Sequence, residues 1–102
     1  MEIINFSEND IKHQREAGYI SQYGQDYYLI MNIFPNKSSG VFIDIGCNHP
    51  VKNSNSLRFE QLGWRGVAFD PISRFETLWA ESRKTPFVRA AIGRHEGEAE
   101  FV

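Results

Sequence analysis

Short apolar runs separated by amphipathic stretches occupy most of this chain. Three of these runs, at Val41–Ile45, 66–70 and 86–92, predict three β-strands. The first is rich in β-branched residues and does not alternate with polar ones, which is typical of a strand buried on both faces of a parallel sheet. A turn at 93–97 and a fourth short strand at 98–102 are predicted to follow.

Residues 24–34 predict an amphipathic helix that packs on the sheet. Pro35 and Asn36 end it. Its apolar positions follow helical spacing: Tyr28, Leu29, Ile33 and Phe34. Farther upstream, residues 7–18 are polar and predict a short surface helix capped by Ser7.

Two more helices are predicted between the strands. One spans 54–62, with Asn53 or Ser54 as its cap and Gly63 at its end. The other spans 73–83 and carries apolar residues on one face: Phe75, Leu78 and Trp79. This alternation of strands and helices predicts the α/β class, with a parallel sheet and flanking helices joined by right-handed crossovers.

Composition narrows the class of protein. The 102 residues carry a net charge of -2, so the chain has no excess of basic residues that would indicate binding to nucleic acid. A hydrophobic fraction of 41% is enough for a packed core. A single cysteine, Cys47, excludes an internal disulfide and favours a reducing compartment. With no secretory signal and no apolar run long enough to cross a membrane, we expect a cytoplasmic chain without a membrane partner.

The ends of the predicted strands carry candidate binding groups, because ligands of open α/β sheets bind at the carboxyl ends of the strands. Asp44, Gly46 and Asn48 lie at the end of the first strand, and Asp70 lies at the end of the second, 26 residues after Asp44. That separation suits an acidic residue that binds ribose hydroxyls. Two plainer interpretations stay open: a tight turn at Gly46, and capping of the next helix by Asp70.

Other chemistry has weaker support. The glycine fingerprint of dinucleotide-binding folds is absent. His49 is a conceivable general base but is more typical of a structural loop residue, and Cys47 has no partner base and is more typical of a small buried residue. His13 and His95 have no partners at metal-ligand spacing, so no metal site is predicted.

Six segments occur in the order seen in FkbM-type methyltransferases, which use S-adenosylmethionine. The resemblance covers about four-fifths of the chain, from Ser21 to Val102. The segments are Ser21-Gln22-Tyr23-Gly24-Gln25-Asp26, Phe42-Ile43-Asp44-Ile45-Gly46, Ser54-Asn55-Ser56, Gly63-Trp64-Arg65-Gly66, Asp70-Pro71 and Ala91-Ile92-Gly93.

The resemblance implies a Rossmann-like methyltransferase domain, here its N-terminal half over 21–102, preceded by a polar segment over 1–20. It implies an S-adenosylmethionine site in which the turn of Asp44, Gly46, Cys47 and Asn48 holds the methionine end. Asp70 would then bind the ribose hydroxyls, with Pro71 shaping the turn, and Ala91 would lie against the adenine. The segment that begins at Ser21 would cover the cofactor.

This chain departs from the family at three points. Cys47 replaces a usual alanine, and Asp70 replaces a frequent glutamate. The fourth strand of the family and its Lys-Ile-Asp-x-Glu-Gly-type motif have no counterpart, which leaves Val41–Ile45 at an edge without charged or proline protection. We therefore expect either a truncated chain or pairing of this edge with another chain, including a second copy.

The resemblance implies O-methyl transfer to a small molecule or sugar, with no residue assigned as the catalytic base. One alternative is an inactive cofactor-binding module or partner subunit. Another is a nicotinamide oxidoreductase, which the missing glycine fingerprint disfavours.

Overall fold

The computed structural model describes residues 5–98, which form a mixed α/β unit. The helices and strands occur in the alternating order that the sequence predicts. In chain order they are α1 (Glu8–Glu16), α2 (Gln25–Tyr28), a π-helical segment (Leu29–Ile33), β1 (Val41–Ile45), α3 (Leu57–Gln61), β2 (Arg65–Phe69), α4 (Ser73–Ser82) and β3 (Phe87–Val88).

All three strands are parallel, and their order in the sheet is β1-β2-β3. Asp44 lies opposite Ala68, which lies opposite Phe87, so these three residues share one face. Ile43 and Val67 are paired on the other face. The predicted α/β class with a parallel sheet is thus confirmed, and β1 lies at an edge.

The core lies between the sheet and α4. It contains Cys47, Ala68, Phe75 and Trp79, with Ala68 and Trp79 fully buried. Ile72, Leu78 and Phe87 pack around this cluster. The predicted apolar face of the second crossover helix is therefore confirmed.

The opposite face of the sheet is bare across the part of the chain that the structure describes. Val41, Ile43 and Ile45 are 78%, 65% and 60% exposed, and Val88 is 40% exposed. The prediction that β1 is buried on both faces is wrong for these residues. When each successive parallel strand is added on the same side of the previous one through a right-handed crossover, all the connecting helices lie on one face of the sheet. Here the connecting helices are α3 and α4.

Helix α3 is shorter than predicted, because the first predicted residues form a turn. The Ser54 hydroxyl accepts hydrogen bonds from the backbone N–H of Ser56 (3.2 Å) and of Leu57 (3.1 Å), so it satisfies one donor ahead of the helix and one at its first residue. Gly63 follows the helix with φ +97°, a conformation that glycine adopts without strain, as predicted for its end.

The helix predicted over 24–34 is helical but packs differently. Its second half is π-helical, and the Phe34 N–H donates to the Leu29 carbonyl (2.9 Å). Leu29 and Ile33 are exposed, so the predicted apolar face does not lie on the sheet. Phe34 instead packs against Trp64, with 5.5 Å between ring centroids.

The third strand is also shorter than predicted, since Phe87–Val88 replaces 86–92. It lies at the other edge of the sheet, and Arg89 interrupts its apolar run directly after Val88. Residues 89–98 form no strand, and residues 99–102 of the predicted fourth strand lie outside the described residues.

Glu60 ties α3 to the segment that leads into β3. Its Oε1 accepts hydrogen bonds from the Arg83 Nε (3.0 Å), the Thr85 N–H (2.8 Å) and the Thr85 hydroxyl. Partial burial by itself raises the pKa of Glu60, but the bonds from Thr85 and the Arg83 charge outweigh it and lower the pKa. A lowered carboxyl pKa stabilises the fold above the ordinary value of 4.5, and that contribution is lost as the pH falls through the lowered pKa.

We expect Glu60→Gln to lower the free energy of unfolding by about 1–2 kcal/mol at pH 7, since it removes a charge that accepts three hydrogen bonds. At pH 3 the difference should shrink, because Glu60 of the unsubstituted chain is itself becoming protonated. Urea unfolding at both pH values measures this, with exposed Glu81→Gln as the control. An equal loss at both pH values would contradict the argument.

Candidate functional site

The turn after β1 folds over the end of β2. The N–H groups of Gly46 and Cys47 both donate to the Phe69 carbonyl, at 2.8 and 3.0 Å. Gly46 has φ +67° and Asn48 has φ +59°, so the backbone turns sharply at both residues. The predicted tight turn is therefore present, and it places its residues at the carboxyl end of the sheet.

A polar cavity of about 390 Å³ lies at this end of β1. Four of the seven predicted site residues line it: Asp44, Gly46, Cys47 and Asn48. The other three, Asp70, Pro71 and Ala91, do not.

The rest of the cavity wall includes loop residues that sequence analysis did not assign to the site, and Gln22 from the segment that the family resemblance places over the cofactor. Lys52 and Asn55 belong to the loop between β1 and α3, and Gln22 comes from the N-terminal side. The position of that loop was a usable signal, because a loop that follows a parallel strand lies at the ligand edge.

Asp44 is the carboxylate of the cavity. Its Oδ2 accepts a hydrogen bond from the Ser56 hydroxyl at 2.5 Å. Burial raises the pKa of Asp44, while the bond from Ser56 and the charge of Arg83 lower it in part and the nearby Asp70 raises it further. Asp44 therefore takes up a proton at a higher pH than an exposed aspartate does.

Asp70 is only 5% exposed, and both of its carboxylate oxygens accept backbone hydrogen bonds. Oδ2 accepts from the Asn48 N–H (3.0 Å) and Oδ1 from the Ile72 N–H (2.9 Å). One bond joins the two strand-end turns, and the other closes an Asx turn ahead of α4. Ile72 is the N-cap of α4 and no side chain caps the helix there, so the structure does not confirm the capping interpretation of Asp70. Binding of a ribose by Asp70 stays a prediction.

His49 has a structural role in the loop. Its Nδ1 accepts hydrogen bonds from the N–H groups of Val51 (3.1 Å) and Lys52 (3.0 Å). With Nδ1 acting as an acceptor, the proton of the neutral ring lies on Nε2. Neither nitrogen is then available to take a proton from a substrate in this arrangement, so the loop interpretation of His49 describes the structure better than a general base.

Pro71 and Ala91 lie apart from the cavity wall. Pro71 is half-buried ahead of α4, and Ala91 is exposed in the segment after β3. The cavity wall therefore contains neither Pro71 nor Ala91, and the nucleoside site predicted at these two residues is not part of the cavity.

The N-terminal segment reaches the site through Ser21. The Ser21 hydroxyl donates to the Ser54 carbonyl at 3.5 Å, next to the cavity loop. Asp26 is fully buried, and its Oδ2 accepts from the N–H groups of Ile20 (2.8 Å) and Ser21 (3.2 Å). The Ser21 bond joins the segment that carries Gln22 to the cavity loop, and the Asp26 bonds fix the turn within that segment.

Comparison of the chain with protein-family models, with curated proteins and with solved structures gives no match. Within residues 5–98, no cluster of three or more His, Cys, Asp or Glu side chains is placed to hold a metal ion. Over the same residues, no helix has the length and apolar character needed to cross a membrane.

The buried Cys47 thiol should be unreactive. Burial, with the negative charges of Asp44 and Asp70, raises its pKa to about 12. At pH 8 its thiolate fraction in the folded chain should be about a thousandfold below that of an ordinary thiol. Alkylation by iodoacetamide should therefore be slow in buffer and fast in urea, and equally rapid modification in both would contradict this environment for Cys47.

Proposed function

We propose that this chain forms the S-adenosylmethionine-binding half of a Rossmann-like methyltransferase. The observation that carries the proposal is the polar cavity at the carboxyl end of β1, with Asp44 and the Gly46 turn in its wall. In open α/β sheets this is the edge at which ligands bind. The six sequence segments similar to FkbM-type methyltransferases support the same assignment.

The cavity residues fit the methionine end of the cofactor, which carries an ammonium and a carboxylate. The Asp44 carboxylate offers an acceptor for the ammonium. Lys52 offers a cation, and the amides of Asn55 and Gln22 offer donors for the carboxylate. The donor set therefore contains complementary groups for both charges.

The nucleoside end has less support in this structure. A carboxylate has about four acceptor positions, so the two backbone bonds of Asp70 leave capacity for a ribose hydroxyl. Asp70 is nearly buried, however, and the cavity does not reach it. Binding of the ribose by Asp70 would require the turn after β2 to open.

When bound, S-adenosylmethionine supplies an electrophilic methyl group on a sulfonium. The residues of this chain would bind and orient its methionine end, and positioning of the donor contributes much of the rate of a transfer between two bound groups. We propose an oxygen of a small molecule or sugar as the acceptor. No described residue is assigned to remove its proton.

Calorimetric titration with S-adenosylhomocysteine tests the proposal. We expect the chain to bind it, and Asp44→Asn to weaken binding about tenfold by removing the charge that faces the ammonium. Glu81→Gln makes the same chemical change on the exposed side of α4 and should leave binding unchanged. No binding by the folded chain would refute the cofactor site.

The edge position of β1 in the described sheet favours a second candidate: a cofactor-binding module without activity of its own, which pairs through this edge with a second copy. Antiparallel pairing about a two-fold axis at Ile43 would place Val41 opposite Ile45 of the other copy. The strand has no lysine or proline that would block such pairing. Binding of S-adenosylhomocysteine without methyl transfer to any acceptor would favour this candidate.

Sedimentation equilibrium measures the pairing. We expect a dimer that Ile43→Lys converts to monomer, because a lysine in the middle of the edge strand opposes pairing. Val88→Lys places the same charge on the same face at the opposite edge and should leave the dimer intact. A monomer at high micromolar concentration, or equal effects of both variants, would refute pairing through β1.

A further inference from the structure

Arg83, the residue after α4, connects to the cavity carboxylate through one hydroxyl. The Arg83 side chain is fully buried. Its Nη2 donates to the Ser56 hydroxyl at 3.0 Å, and that hydroxyl donates to Asp44 at 2.5 Å. Because the hydroxyl accepts one bond and donates the other, it links the guanidinium to the Asp44 carboxylate in a defined direction.

The same guanidinium also holds the loop that forms the cavity wall. Its Nη1 donates to the Pro50 carbonyl at 2.9 Å and to the Ser54 hydroxyl at 3.3 Å. The guanidinium carbon lies over the Trp79 ring, 4.2 Å from the ring centroid. Trp79 in turn donates from Nε1 to the Asn48 carbonyl at 2.7 Å.

An ion pair that serves stability alone would need only the bond from Arg83 to Glu60. That bond uses the Nε, whereas the two other nitrogens face the loop and Ser56. The guanidinium is a planar fork whose donors point in fixed directions, which suits the division of its bonds between Glu60, the loop and Ser56. A lysine in the same place would lack such a fork. Two of the three nitrogens of Arg83 are thus directed to groups that shape the cavity.

We propose that Arg83 is a positioning residue of the cavity, which orients the Asp44 carboxylate through Ser56 and holds the wall through Pro50 and Ser54. The identity of the ligand rests on the proposed function. The effect of Arg83 on Asp44 does not, because it can be measured in the ligand-free chain.

The charged and titratable groups around Asp44 set the direction of the effect. Arg83 approaches from the end of α4, Asp70 from the end of β2 and the Cys47 thiol from the turn after β1. Lys52 and His49 lie in the same cavity wall. Arg83 and Ser56 favour the charged form of Asp44 against burial and Asp70, so weakening either contact should move the titration of Asp44 to higher pH.

Carbon-13 NMR of the Asp44 carboxyl, followed against pH in the full chain, tests the proposal. We expect Ser56→Ala and Arg83→Lys each to raise the titration midpoint of Asp44. The double variant should shift it little beyond Ser56→Ala, because both changes break the same connection. Glu60→Gln is the matched control, since it removes the ion pair of Arg83 on the side away from Asp44 and should not raise the midpoint.

An unchanged midpoint in folded Arg83→Lys and Ser56→Ala would overturn the proposal. So would an equal rise in Glu60→Gln, because the shift would then report loosened packing. If Arg83→Lys does not fold, an unchanged midpoint in Ser56→Ala, which removes only one hydroxyl, would still overturn the proposal, because the connection from Arg83 to Asp44 passes through that hydroxyl.

Titration with S-adenosylhomocysteine separates this proposal from the proposed function. We expect Arg83→Lys and Ser56→Ala to weaken binding about tenfold and Glu60→Gln to change it less than twofold. If the unsubstituted chain does not bind while the midpoints shift as expected, the cofactor assignment fails and the role of Arg83 stands. If it binds and neither midpoint nor affinity responds to Arg83→Lys and Ser56→Ala, the role of Arg83 fails.

Discussion

The handedness of the crossover connection determines how this structure is layered. Each neighbouring pair of parallel strands is joined through a helix, and the strands are added in one direction, β1 to β2 to β3. A fixed hand then places α3 and α4 on the same face. The residues that point toward these helices form the core, and those that alternate with them, including Ile43, are left exposed. One chiral preference therefore accounts for both the packed side and the bare side.

The cavity depends on the packed side. Asp44 and Ala68 are neighbours on the covered face, so the carboxylate lies among the groups that join α3 to α4. A half-buried carboxylate is costly unless it is hydrogen-bonded, and Ser56, itself held by Arg83, supplies that bond. Asp70 meets the same requirement differently, by accepting two backbone N–H groups. Two aspartates near the ends of neighbouring strands thus have different environments.

Local pattern predicted much of the fold. The bounds of β1 were predicted correctly, because its apolar run is closed by Gly46 and preceded by Gly40. Three cavity residues, Asp44, Gly46 and Asn48, followed from position alone, since the carboxyl end of a parallel strand is known once the strand is known. Cys47 was assigned to the site only through the family resemblance. Leu29 and Ile33 were assigned to a buried face by their spacing, but spacing cannot show whether a partner surface is present, and both are exposed.

Long-range contacts were beyond what the pattern could predict. Arg83 ends a helix, where a cation ordinarily faces solvent, and nothing near it in sequence indicates that Pro50, Ser54 and Ser56 surround it. These partners lie 27–33 residues away. One of the two residues whose N–H groups bind Asp70 is Asn48, which lies 22 residues away in the sequence. The environment of Asp70 could therefore be described only once the positions of both turns were known.

The strand order also sets how each amide is protected from solvent exchange. β2 is hydrogen-bonded on both sides, whereas β1 and β3 have a bonded neighbour on one side only. Opening of a central strand requires loss of both ladders, so the slowest-exchanging amides of this sheet belong to β2 and report global unfolding. Amides of β1 that point away from β2 exchange without any such event. The residues next to the cavity thus lie at the end of an edge strand, directly beside the most persistent strand of the sheet.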